Sequence, residues 1–260
     1  MDQVTPLSRL PALLYESVPI AIVLSLHYGV CFAGVKRFCP RHSDPWQLAD
    51  LISASLRNLV VCWAALQGAW DLRRDVASRW HGVSSASHFF MLTYVTWNAL
   101  HVTVLLNQQS NQRMMLVHHA LSIPCYMVSL LTLRMQYWAC LDGLCEVTNI
   151  FLNVLYLSKE LQVGGRKLQE LMPQWCYVLN GALLWIAFLI FRIALFPYWL
   201  FTCYADVQAL PERTWRTIST FEKLAHPMVT SFLFMLSAHW FIKITQGLLK
   251  ALRGGAQEPA

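Results

Sequence analysis

The sequence predicts an all-α integral membrane protein with about seven transmembrane helices. Three observations lead there. Hydrophobic residues make up 56% of the 260 positions and charged residues 13%, about half the ~25% charged content of a soluble domain. Mean hydropathy is +0.42. Seven apolar stretches, each close to the ~20 residues a spanning helix needs, alternate with short polar segments. A chain this apolar has too little polar surface for a water-soluble globule. That excludes an ordinary cytosolic enzyme, a disordered chain and a disulfide-stapled secreted mini-domain.

The spans follow in order. Residues 17–35 hold no Asp, Glu, Lys or Arg and lie between Glu16 and Lys36. Asp2 and Glu16 precede this run and no basic leader does, so it is expected to persist as a helix rather than a cleaved signal. Residues 51–70 contain only Arg57, and 88–106 are free of formal charge. Residues 114–133 lie between Arg113 and Arg134. Residues 137–158 are apolar apart from Asp142, Glu146 and polar neighbours. Residues 176–199 hold only Arg192, and 224–242 complete the set. Trp46, Trp80, Trp138, Trp175, Trp199 and Trp215 near the span ends suit an interfacial belt.

The net charge of +6 arises from 20 Lys and Arg against 14 Asp and Glu. These basic residues form short runs between apolar stretches, such as Lys36, Arg37 and Arg41, or Arg73, Arg74 and Arg79. Such runs meet lipid headgroups, so no nucleic-acid partner is expected. With seven crossings, the C-terminal side collects ten basic residues and the other side eight, which points to a cytosolic C-terminus. The eight cysteines contain no C-x-x-C pair, so they read as small buried hydrophobes rather than as a metal or redox framework.

Charge at membrane depth costs roughly 2.5–3.5 kcal/mol per group on insertion scales, and so marks function by default. Arg57, Arg192, Asp142 and Glu146 lie within the apolar segments. Asp142, Glu146, Asn149 and Asn153 fall within about 60° of one another on an ideal helix, one polar stripe that lipid cannot satisfy. The stripe either lines a cavity or glues helices together. His118, Ser122, Tyr126 and Ser129 share another face, with His119 at its edge. Imidazole can serve there as base or nucleophile. Adjacent histidines diverge by about 100°, and no H-x-x-x-H or H-E-x-x-H is present, so no metal site is expected. Tyr94, Asn98 and His101 share a face of the third span, and the seventh adds His239. Arg192 needs an acceptor, for which Glu146 or Asp142 is expected.

These residues resemble the TLC-domain family, which includes the translocating-chain-associated membrane proteins, the ceramide synthases and smaller lipid-homeostasis proteins. The resemblance rests on the pair His118-His119, on Glu146-Val147-Thr148-Asn149-Ile150-Phe151-Leu152-Asn153, and on Arg192-Ile193 followed by Pro197-Tyr198. It implies a TLC-like domain over 47–245, a bundle of spans two to seven around a central, lipid-sized cavity. Residues 1–46 then form a segment with one appended helix, and 246–260 a flexible tail. The family setting is usually the endoplasmic reticulum, with the plasma membrane as the alternative. Ceramide synthases carry a His-Asp-x-x-Asp element after the His pair. This chain has Cys145-Glu146-Val147-Thr148-Asn149 at the matching spacing, so the closer likeness is to the smaller proteins linked to phospholipid composition.

The leading expectation is a protein that handles fatty acyl chains and sets phospholipid or sphingolipid composition, its partners a membrane lipid and the bilayer. One alternative is acyl transfer with acyl-CoA as co-substrate and no resident cofactor. His118 or His119 would then be base or nucleophile, Glu146 would set the tautomer, and Asn149 or Arg192 would hold the oxyanion. The other alternative is a non-enzymatic cargo receptor or assembly factor. Asn98, His101, Ser122, Tyr126, Asp142, Asn149, Asn153, Arg192 and His239 are the residues expected to line the cavity.

Overall fold

A computed structural model describes residues 6–40, 42–108, 113–163 and 165–252. Arg41 of the first basic run and the part of the expected tail beyond Leu252 lie outside the described residues. Seven helical segments are long and apolar enough to cross a bilayer. After a short 3₁₀ turn over Pro6–Arg9 come α1 (Leu10–Phe38), α2 (Pro45–Leu72), the short α3 (Val76–His81), α4 (Ser85–Asn107) and α5 (Arg113–Thr132). The fifth crossing is α6 (Gln136–Gly143) and α7 (Val147–Glu160), joined by a 3₁₀ turn over Leu144–Glu146. A two-residue hairpin, β1 (Gln162–Val163) with β2 (Arg166–Lys167), precedes α8 (Leu168–Leu171). The sixth crossing runs through α9 (Gln174–Phe188), a π-helical turn (Leu189–Ala194) and α10 (Leu195–Ala209), and α11 (Thr220–Leu252) is the seventh.

Local chemistry sets the helix starts. Asp44 accepts from the Gln47 N–H at 3.0 Å ahead of Pro45, pairing a cap with the proline favoured in a first turn. Asp75 caps α3 through the Ser78 N–H at 2.8 Å, a bond that holds its carboxyl below the ordinary carboxylate value. Ser84 and Ser87 cap α4 reciprocally. Ser219 and Glu222 do the same for α11, where Glu222 also accepts from the Thr132 hydroxyl at 2.9 Å. These polar first turns extend the helices beyond the apolar stretches that reveal them in sequence. At its other end α11 continues to Leu252, so the expected tail is helix over 246–252.

The bundle is tied firmly at one end. Asp206 on α10 takes both arms of the Arg79 guanidinium, one at 2.8 Å, and the Trp80 indole N–H at 3.1 Å. Met135 N–H donates to the Trp80 carbonyl at 3.0 Å, and Arg134 donates to the Thr217 carbonyl. Trp80, Trp138 and Trp199 interlock edge to face here with ring centroids 5.1 and 5.9 Å apart. All three are fully buried. They are therefore core residues rather than the lipid-facing belt expected from their positions near span ends. Trp175 and Trp215 are exposed as that belt requires.

Candidate functional site

Helices α2, α4, α5 and α7, with the 3₁₀ turn that precedes α7, bring the polar residues together. His118 and His119 sit in the second turn of α5, and Tyr94, Asn98 and His101 on the buried face of α4. Glu146 closes the 3₁₀ turn between α6 and α7 and is 9% exposed. The Tyr94 hydroxyl donates to Glu146 Oε1 at 3.1 Å and lies 3.2 Å from His118 Nε2. Asn149 Nδ2 donates to Glu146 Oε2 at 2.6 Å. One chain of hydrogen bonds thus joins His118, Tyr94, Glu146 and Asn149. A phenol has one proton, and here it points at the carboxylate. The tyrosine oxygen can then only accept from His118 Nε2–H, which leaves the His118 lone pair on Nδ1.

A second chain lies beside it. His119 Nε2 is 3.0 Å from His101 Nδ1, and His101 Nε2 is 3.0 Å from Asp50 Oδ2 on α2. The Arg57 guanidinium stacks 4.0 Å over the Trp97 ring and supplies countercharge to Asp50 and Glu146 together. Asp50 escapes the sequence reading because it precedes the apolar run of the second span. The helix nonetheless starts at Pro45, and Asp50, Ser53 and Arg57 recur at helical spacing, so a stripe test extended by one turn would have found it.

Several expected partnerships differ. The polar stripe of the fifth crossing faces inward but does not form one site, because the 3₁₀ turn tightens the helix between its members. Asp142 accepts from the Thr230 hydroxyl of α11 at 3.2 Å, whereas Glu146 turns to α4. Arg192 pairs with neither carboxylate. The π-helical turn aims it at the Thr148 hydroxyl (2.9 Å) and the Cys145 carbonyl (3.3 Å). Arg192 thus spends two of its five N–H donors on α7 and the turn before it, and Asn149 spends one amide hydrogen on Glu146. Asn153 is buried with its amide nitrogen unpartnered, and so is Asn98. His239 is exposed. The inward face of α11 runs through His226, Thr230 and Ser237, and two residues beyond Ser237 the helix has turned about 200° away.

The interior is nearly closed. A hollow of about 20 Å³ is bordered by Tyr94, His118, Ser122, Tyr126, Asp142 and His226. A neighbour of about 30 Å³ lies between α5 and α11, and His118, Ser122, Val229 and Leu233 border both. Each has room for roughly one or two waters, far below the lipid-sized cavity the family resemblance implies. The seam between the two helices opens sideways, where Val117 is 47% and Phe232 37% exposed. His119 borders neither hollow, so the structure separates the adjacent histidines into one at the seam and one behind it. Among the described residues no group of three or more His, Cys, Asp or Glu is arranged to hold a metal ion.

Fold and site together define a multi-pass helical membrane protein with a polar, histidine-bearing seam. The TLC domain model matches residues 43–246, so the chain belongs to the TLC-domain family, and the family points to a membrane lipid-related role. A relative, TLC domain-containing protein 1 of Gallus gallus, is 28% identical over 169 residues. The alignment covers 63% of this chain and 63% of the relative, less than two thirds of either. No solved structure matches.

Proposed function

We propose that the chain handles fatty acyl groups of membrane lipids at the α5–α11 seam, with His118 as the base beside the reacting acyl carbonyl. The position of His118 is the supporting observation. It borders both hollows, its Nε2–H is tied through Tyr94 to Glu146, and the seam above it opens toward lipid. The hollows exclude a hydrocarbon tail in this packing, so binding requires α5 and α11 to separate. The membrane is that of the endoplasmic reticulum, in keeping with the family setting.

The chemistry such an imidazole supports is acyl transfer from acyl-CoA to an amine or lysolipid, with no resident cofactor. His118 Nδ1 removes the acceptor's proton as its nitrogen or oxygen attacks the thioester carbonyl. The C–S bond breaks, and the departing thiolate takes the proton from the imidazolium. Glu146, acting through Tyr94, stabilises the cation between these steps. The test uses protein in phospholipid nanodiscs, given acyl-CoA with lysophospholipid or a long-chain amine, alongside mass spectrometry of co-purified lipid. Acyl transfer or retained acyl lipid that His118→Ala abolishes supports the reading. An empty protein without transfer, and an unchanged lipidome on deletion, overturns it.

The closed interior favours a second reading, in which the polar residues only hold helices together. On that reading Glu146→Gln lowers folded yield and alters no lipid.

A further inference from the structure

The pair Asp50–His101 lies outside the three motifs that mark the family resemblance, and the His118 chain does not touch it. Its geometry nevertheless dictates where protons sit. Asp50 Oδ2, an acceptor when ionised, faces His101 Nε2 at 3.0 Å, and the nearby Arg57 supplies its countercharge. A lone pair on that nitrogen would oppose the carboxylate, so His101 Nε2 holds the proton. His101 Nδ1 is then a lone pair, and it faces His119 Nε2 at 3.0 Å. Two lone pairs cannot share that contact, so His119 also holds its proton on Nε2. His119 Nδ1 is left as a lone pair, buried and without a partner. The two rings meet edge to face, with centroids 5.1 Å apart, and His101 stacks on Trp97 at 5.2 Å. The stack on Trp97 holds the plane of the His101 ring.

We infer that Asp50, His101 and His119 form a one-directional hydrogen-bond relay, in which Asp50 acts through His101 to keep His119 in the Nε2–H tautomer with Nδ1 ready to accept a proton. A proton arriving at His119 Nδ1 is balanced along the chain. The His119 Nε2 proton passes to His101 Nδ1, and the His101 Nε2 proton passes to Asp50. Both imidazoles end neutral, and the added charge is cancelled at a carboxylate in the second turn of α2 whose side chain is 17% exposed. In the acyl-transfer reading His118 Nδ1 takes the acceptor's proton, and the relay holds the adjacent His119 neutral beside the imidazolium that forms. That catalytic use rests on the reading, whereas the tautomers do not. Asp50 and His101 are positioning residues, since neither borders the seam.

The experiment reads tautomers directly and requires no turnover. Protein labelled with 15N-histidine in phosphatidylcholine nanodiscs gives ring-nitrogen spectra, with His101 and His119 assigned by single replacements. The parent should show His119 as one species, protonated on Nε2 only. Asp50→Asn, which can donate as well as accept, should turn both His101 and His119 into tautomer mixtures, and Asp50→Glu should restore the single species. His101→Phe keeps the stack on Trp97 and breaks the chain. In that background His119 should already be mixed, and Asp50→Asn should change it no further. A protonated Nδ1 on parental His119, or a His119 signal indifferent to Asp50→Asn, overturns the inference. So does an effect of Asp50 that survives His101→Phe. If Asp50→Asn fails to fold, His101→Phe alone decides: an unchanged His119 signal defeats the relay. Loss of the relay with acyl transfer intact, or the reverse, tells the two proposals apart.

Discussion

At the residue scale, the hydroxyl of Tyr94 is the joint of the candidate site. It bridges His118 and Glu146, and Tyr94→Phe leaves a buried imidazole N–H and a carboxylate oxygen each short of a partner. The cost should be about 1–3 kcal/mol, read as a lower unfolding temperature in detergent, and any His118-dependent transfer should fall with it. Gly143 offers a sharper steric test. A Cβ there would come within 2.1 Å of the Phe90 ring, which is fully buried. Gly143→Ala should therefore destabilise by about 1–3 kcal/mol through overpacking. A Cβ at Gly29 would meet nothing within 4 Å, so Gly29→Ala should stay within about 0.5 kcal/mol of the parent.

Residue identity was legible wherever polarity broke an apolar run. His118, Glu146 and Asn149 announce themselves that way, and the structure links them through Tyr94. Pairing was not legible. Arg192 was expected to find a carboxylate by charge balance, but a π-helical turn redirects it to Thr148 and Cys145, and no composition rule foretells such a turn. Asp50 was hidden because a hydropathy boundary is not a helix boundary.

At the element scale, all seven crossings follow from apolar length, while their ends and breaks follow from caps and turns. The 3₁₀ turn at Leu144–Glu146 was invisible because its residues are as apolar as their neighbours, save Glu146. The clasp of α3 on α10 was equally hidden, since Arg79 and Asp206 lie 127 positions apart. Its strength is testable. Asp206 is 4% exposed, and Asp206→Ala strands the Arg79 guanidinium and the Trp80 N–H together. Removing one partner of a buried pair costs about 3–5 kcal/mol; with Arg79 partly exposed, the lower end is expected in thermal unfolding. The α5–α11 seam predicts the opposite balance. Val229→Phe fills space next to His118 without removing a hydrogen bond, so folded yield should hold while retained acyl lipid drops. Equal lipid retention in parent and variant would place any lipid elsewhere.

At the scale of the whole molecule, contacts sort the loops into two sets. Arg79 with Asp206, Arg134 with Thr217 and His81 with Arg213 join the segments after α2, α5 and α10 at one end. His42 meets Glu160 at 3.6 Å at the other, where the loops after α1 and α7 lie. An alternation of this kind is what seven successive crossings require. The orientation expected from the basic residues, ten against eight, would put the His42–Glu160 end in the cytosol. The sequence contains no Asn-x-Ser/Thr acceptor, so an introduced one reports topology against a silent background. A Gly/Ser-flanked acceptor inserted after Arg213 should receive a glycan in microsomal membranes, and one inserted after Gln162 should not. Glycans at both positions would break the alternation and with it the count of crossings. A glycan at Gln162 alone would keep the count and invert the protein, moving the seam's polar end away from the cytosolic supply of acyl-CoA that the proposed transfer needs.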